Sequence, residues 1–310
     1  MLGYLARRIL QFIPSILGAT AICWALVWTL PGNPFAGRCG QSACSPDYIQ
    51  AMTDKYGLND PLPVQYLTFL RNIVTGNLGE SFSGVSVSSQ LAIAVPVSTK
   101  LALLAVVFQV VLAGVIGIIA GSHPNSKFDV VSMTLSLGVF SLPVFVVAFV
   151  LQYVLGVRLH LFAPTVLPSA PIDQLILPAL VLALATMATL MTVLRASVAD
   201  GLSADYLRTA RAKGLMPVRI MMVHLLRNTI APTLTVLGIE FATLLGGTVI
   251  VEGIFNINGV GGLIYRGIQD REQLTVATVV TLLVVFYLAL NLLVDLVCAF
   301  LDPRSRDVES

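Results

Sequence analysis

Charge is what this chain has least of. Charged residues fill 11% of its 310 positions, against about 25% in an ordinary soluble domain. Only four of them are lysines: Lys55, Lys100, Lys127 and Lys213. A water-facing surface needs more charge than that, and a lipid-facing one needs almost none. The small net charge of +2, with no arginine-rich or RNP-like run, leaves no footprint for nucleic acid. So few lysines also leave no phosphate-cradling loop, which needs a lysine directly after a glycine-rich turn. The nearest approach, over residues 121–127, carries Ser126 where a glycine is required, so this chain does not bind ATP by that route. His123, His160 and His224 are scattered and lack the close-spaced partners of a metal site. No serine–histidine pair or paired aspartates stand in the apolar runs, and no catalytic residue is expected. Four cysteines are too few for a disulfide scaffold. Cys23 and Cys298 lie in apolar runs and read as small hydrophobes, whereas Cys39 and Cys44 share a polar segment.

Long apolar runs are present instead. A helix needs about 20 apolar residues to cross the hydrocarbon core, and six stretches qualify: 9–30, 101–121, 131–155, 175–194, 233–251 and 274–301. The fold class is therefore all-α integral membrane, with about six transmembrane helices. Pro143 and Pro178 fall inside two of these stretches as expected kinks. The run behind Arg7 and Arg8 exceeds the 7–15 residues, roughly, of a signal-peptide core, and Arg38 before Cys39 argues against lipoprotein cleavage, so it reads as a retained first span.

Cations give the orientation. With the N-terminus inside, the inner segments hold Arg7, Arg8, Lys127, Arg195, Arg208, Arg211, Lys213, Arg219, Arg227, Arg304 and Arg306. The short outer loops hold only Arg158, Arg266 and Arg271. Both termini are expected in the cytoplasm, and residues 1–99 divide into a first helix and a long external loop. That loop predicts two short amphipathic helices, 47–56 and 64–73, punctuated by Asn59-Asp60-Pro61 and Gly76-Asn77. A Cys39–Cys44 disulfide is allowed in that compartment, and geometry decides it. Residues 100–302 form the remaining core, with an inner loop at 195–231, and 303–310 form a cytoplasmic tail.

The inner loop is a polar island. Ser203 is expected to cap a helix over 204–213, with Asp205 in its first turn complementing the dipole. Gly214 suits the C′ position and Pro217 opens a second helix over 217–228. Ala210, Ala212 and Gly214 give the first helix little bulk, so a partner groove could close on it, and Tyr206 is a candidate rigid anchor. An ordinary solvated loop stays open as the alternative. Within the spans, Glu240 lies where a charge costs at least ~2.5 kcal/mol; it lines a solute path or makes a helix contact. Asp295 is near enough to the inner end of its span to snorkel or pair. Gly238, Ala242 and Gly246 form a stripe suited to close helix approach. Gly259-Val260-Gly261-Gly262 reads as a flexible turn after the fifth span.

At the inner loop the sequence resembles a known family. Asp205-Tyr206-x-x-Thr209-Ala210-Arg211-Ala212-Lys213-Gly214, followed by His224-x-x-Arg227-Asn228-x-x-x-Pro232, is similar to the EAA loop of ABC importer permeases in its peptide-transporter form. Leu30-Pro31-Gly32-Asn33-Pro34, Tyr56-Gly57-Leu58-Asn59, Gly76-Asn77-Leu78-Gly79, Val251-Glu252-x-x-Phe255 and Leu301-Asp302-Pro303-Arg304 extend the likeness over essentially the whole chain. It is closest to the first permease subunit (DppB/OppB type) of bacterial dipeptide and oligopeptide importers. The resemblance implies the type I importer permease fold in the bacterial inner membrane, with the Ser203–Gly214 helix as the ATPase coupling helix. It implies loop support from His224, Arg227, Asn228 and Pro232. It also implies a homologous second permease, two cytoplasmic ATPases that bind ATP and Mg, an external substrate-binding protein and a peptide cargo; the chain holds no cofactor of its own. Related permeases serve nickel, glutathione or haem. A stand-alone secondary transporter, the alternative from another class, predicts more paired ionisable residues in the spans or inverted repeats. Asp205 stands where the family often has glutamate, and Asn256-Ile257-Asn258-Gly259 replaces a more usual Trp-Pro-Gly turn.

Overall fold

The computed structural model describes residues 2–28 and 44–301, and among them the fold is helical apart from one isolated β-bridge between Glu80 and Ser86. Helix α1 runs over Leu2–Trp28. Helices α2 (Pro46–Lys55) and α3 (Leu62–Val74) form a short hairpin. Then come α4 (Val87–Ser122), α5 (Lys127–Phe140), α6 (Val144–Leu151) and α7 (Ile172–Leu202). Helix α8 is Asp205–Ala212, α9 is Pro217–Arg219 and α10 is Leu226–Ile254. Helices α11 (Val260–Gln269) and α12 (Gln273–Leu301) are the last among the described residues.

Three helices among the described residues, α4, α7 and the part of α12 up to Val294, are individually long and apolar enough to cross a membrane. The pair α5 and Val144–Arg158, which is α6 with its π-helical continuation, passes the same test together, but it is bent by 103°. The third expected span is therefore broken rather than kinked. Pro143 cannot continue α5 and instead caps the start of α6, as proline at a helix boundary does. Pro178, by contrast, sits inside α7 without ending it. Helix α4 begins at Val87, so the last part of the expected external loop is helical. Its 36 residues rise about 54 Å, well beyond the roughly 30 Å hydrocarbon core.

Small residues decide the central packing. Ala105, Gln109, Ala113, Gly117 and Gly121 recur every four residues along one face of α4, and all are buried. That face lies against α7 so closely that a Cβ on Gly121 would stand 2.6 Å from the carbonyl oxygen of Arg195. The main apolar cluster joins this pair to α6 and α10 through Leu101, Ala148, Leu175, Leu244 and Phe255.

The hairpin confirms both short helices expected in the first loop. Ser45 caps α2 by accepting from the amide of Tyr48, and Gly57 makes the left-handed turn beyond it, with φ +62°. Helix α3 is tied to α1: the Tyr66 hydroxyl donates to the Leu17 carbonyl at 3.0 Å and lies 2.8 Å from Thr20 Oγ1. Cys44 is disulfide-bonded, and Cys39, its expected partner, lies outside the described residues.

Candidate functional site

The polar island folds as a short helix slung between two long ones. Helix α7 runs without a break through Arg195 to Leu202, so much of the expected loop is a continuation of the fourth span. Ser203 ends that helix instead of starting the next: its amide and hydroxyl both donate to the Asp200 carbonyl, the hydroxyl at 2.8 Å. The expected N-cap role is corrected, because the α8 N-cap is Ala204, which offers no side chain to the free amides. The C-terminal expectation holds. Gly214 has φ +70°, its amide reaches Arg211 and the Leu215 amide reaches Ala210. Those two bonds are the pairing that closes a helix through a left-handed C′ residue.

Helix α8 has two faces. Leu207 (0% exposed) and Ala210 (6%) pack into a cluster with Leu194 and Val198 of α7, Ile220 and Leu225. Ala210 is thus part of the seat, not of a free small-residue face, because it lies three residues after the helix's one large aliphatic side chain. Arg208, Thr209, Arg211, Ala212, Lys213 and Gly214 are exposed, Asp205 also faces out, and Tyr206 is 40% exposed. The 3.7 Å contact between Arg208 and Asp205 is fully at the surface and contributes little. Beside this basic face stand Met216, Val218 and Met222, 73%, 70% and 61% exposed. Sequence reading missed them, although three large apolar side chains in a polar segment are themselves a signal of a contact surface.

The second helix expected at 217–228 is not separate. Helix α9 passes through one wide-turned π-helical stretch, Ile220–Leu225, straight into α10. His224 lies partly buried in that stretch. Arg227, Asn228 and Pro232 follow on α10, and their side chains lie outside the described residues. Gly201 closes the seat from the α7 side, against Leu225 and Thr229.

Two polar junctions escaped the sequence reading. At the α8 end, Asp129 is 2% exposed and takes a two-pronged ion pair from Arg195, Nε to Oδ1 at 2.5 Å and Nη2 to Oδ2 at 2.6 Å. It also accepts from the amide of Asn125 at 2.9 Å, while Ser126 caps α5. At the opposite end Glu252 is fully buried. Ser98 Oγ donates to its Oε1 at 2.6 Å, and the Gly262 amide donates to its Oε2 at 2.8 Å. The segment 259–262 is therefore not a flexible turn but the tightly packed start of α11. In the neighbouring turn Ile257 is 0% exposed, while Asn256 faces out.

Glu240 is half-buried on α10, with the Thr189 hydroxyl of α7 near it. Asp295 lies on α12 with its side chain outside the described residues. Among the described residues no cluster of histidine, cysteine, aspartate and glutamate could hold a metal ion. A cavity of about 290 Å³ opens near the α2–α3 hairpin, with Lys55, Tyr56, Asn72, Glu80 and Thr278 in its wall.

Residues 113–307 match the family model of the binding-protein-dependent transport system inner membrane component, and residues 1–93 match its N-terminal membrane component. The chain is 32% identical to the di/tripeptide transport system permease protein DppB of Pseudomonas aeruginosa, over 99% of both chains. It is 34% identical to the glutathione transport system permease protein GsiC of Pectobacterium atrosepticum, over 99% of both. Its identity to the oligopeptide transport system permease protein OppB of Escherichia coli is 32%, over 99% of this chain and all of that one.

Proposed function

Because this chain belongs to the family of binding-protein-dependent transport system inner membrane components, we propose that it is the permease subunit of an ATP-driven importer of di- and oligopeptides, forming half of the translocation pathway. It works beside a homologous second permease and takes its cargo from an external binding protein. ATP and Mg are bound by two separate ATPases on the α8 side, which is the cytoplasmic side, with both termini.

The observation that carries this reading is the seating of α8. A helix of eight residues is too short to be stable alone in water. It is held here by Leu207 and Ala210 on the ends of α7 and the α9–α10 helix, and it turns Arg208, Arg211, Ala212 and Lys213 outward. With Met216, Val218 and Met222 beside it, the surface combines apolar contact with positive charge, as a groove with an acidic rim would require. Such a helix rides on rigid neighbours and passes on a push.

Purification of the tagged chain from its native membrane tests the assembly. The expected result is an ATPase, a homologous permease and a binding protein in stoichiometric yield. The chain recovered alone, with uptake that needs no ATP, overturns the reading. Uptake of a labelled dipeptide, competed by unlabelled di- and tripeptides or by glutathione, then fixes the cargo. The similarity to both peptide and glutathione permeases makes that comparison the informative one.

A further inference from the structure

Helix α5 is held within this chain in an unusual way. Only two of its 14 residues, Asp129 and Ser136, are buried, and both touch α7. Asp129 takes the forked ion pair from Arg195, and Ser136 donates to the sulfur of Met191 at 3.2 Å. Much of the rest, including Val130, Val131, Leu135 and Leu137, faces outward. At its far end α5 breaks at Ser141–Pro143 and turns into α6, whose Val147 and Ala148 are fixed in the main core. Helix α5 is thus an arm anchored at the break and gripped at its start by α7.

The grip lies close to α8. Arg195 stands between Leu194 and Val198, the two α7 residues on which Leu207 packs. Two residues, Ser203 and Ala204, separate α7 from α8. The two-pronged geometry fixes both the distance and the orientation of the partners, and Asp129 cannot let go cheaply, because an unpaired buried carboxylate is far costlier than a paired one. The Asn125 amide adds the connecting turn to the same carboxylate. A displacement at α8 therefore has a stiff route into α5, which touches α7 again through Ser136.

We propose that the Asp129–Arg195 pair is the joint through which a displacement of α8 reaches the broken span α5–α6, so that it sets how tightly ATP use is coupled to movement of the pathway. Both are positioning residues. The inference rests on α8 being the ATPase docking helix.

Spin-label pairs on the full complex test it. One pair, Thr134 to Leu161, follows α5 against the opposite end; a second, Asp200 to Leu161, follows the α7 end that carries α8. All three sites are exposed. With ATP plus vanadate both distances shift in the otherwise unaltered complex. In Asp129→Asn the α7 distance still shifts and the α5 distance does not. Transport of a labelled dipeptide per ATP hydrolysed falls about tenfold, the scale of a typical coupling energy. Arg195→Gln gives the same loss, and the double variant is no worse than either single one. If Asp129→Asn fails to assemble, Arg195→Lys serves in its place, since it keeps the charge and loses the fork. An α5 shift that persists in the variant, or losses that add in the double variant, overturns the proposal. Failure of the underlying reading is seen separately, as an unaltered complex whose α7 distance ignores nucleotide.

Discussion

Ser98 and Glu252, 154 residues apart, share a 2.6 Å hydrogen bond in the fully buried junction of α4, α10 and α11. The same serine oxygen accepts from the Val260 amide at 2.8 Å, and the other carboxyl oxygen accepts from Gly262. A carboxylate at the start of a helix meets free amides and the positive end of the dipole. Here it binds that helix start to two spans.

That arrangement makes the junction a stability element. Glu252→Gln keeps the size but replaces one charged acceptor oxygen by an NH2 group, so the bond received there is lost or weakened and the change should cost about 1–2 kcal/mol. Ser98→Ala should cost about 2 kcal/mol, because both the bond to Glu252 and the bond from the Val260 amide are lost. Gly262→Ala should be worst, because a Cβ there would overlap the Ile257 carbonyl oxygen. Thermal unfolding of the purified complex ranks the three. A Glu252→Gln variant as stable as the parent refutes the account.

The docking surface and its seat can be separated by two neighbouring substitutions. Ala212 is exposed and Ala210 is 6% exposed. Ala212→Asp should leave the unfolding temperature unchanged while the ATPase no longer co-purifies, because a new charge enters a tight contact. Ala210→Asp should lower stability by several kcal/mol, since its carboxylate would be buried in an apolar cluster. Gly214→Ala should sit between them, costing about 1 kcal/mol for a left-handed residue with a Cβ. Equal effects of Ala210→Asp and Ala212→Asp on stability would remove the two-faced description of α8.

Much of this was legible in the sequence, for physical reasons. Apolar runs located the spans, because lipid demands them everywhere along a crossing. Gly214 located the end of α8, because few residues adopt φ +70°. What stayed hidden depended on distance in the chain. Arg195 was only one more inner cation until Asp129, 66 residues away, came within 2.5 Å. Ser203 had the chemistry of a cap, and the helix it serves is fixed by how far α7 runs, which propensity does not set. Ala210 looked like its exposed neighbours until Leu207 defined the buried face. Pro143 announced a disturbance, and whether that became a kink or a 103° break depended on packing.

Gln109 gives a prediction of opposite sign. It is fully buried in the α4 seam, and neither side-chain polar atom has a hydrogen-bond partner. An unpartnered buried amide costs about 1–3 kcal/mol, whereas an apolar residue of similar shape removes that cost. Gln109→Leu should therefore be neutral or stabilise the complex by about 1 kcal/mol, and Gln109→Ala should destabilise it by leaving a cavity. Thermal unfolding distinguishes the two, and a clear loss of stability in Gln109→Leu would mean that the amide is bonded in the working complex.

Glu240 offers the test of the pathway itself. It sits half-buried in α10 near the Thr189 hydroxyl, and among the described residues it makes no ion pair. A helix contact alone would be served as well by glutamine, which can also bond a hydroxyl. A group lining the path would not, because its charge acts on the charged end of a passing peptide through a medium of low dielectric. Glu240→Gln should then assemble and dock its ATPase normally, yet alter the relative uptake of cationic and anionic dipeptides by about fivefold or more. Uptake of both classes and its pH dependence are the measurements. If every cargo is carried as before at every pH, Glu240 is a packing residue and the path runs elsewhere.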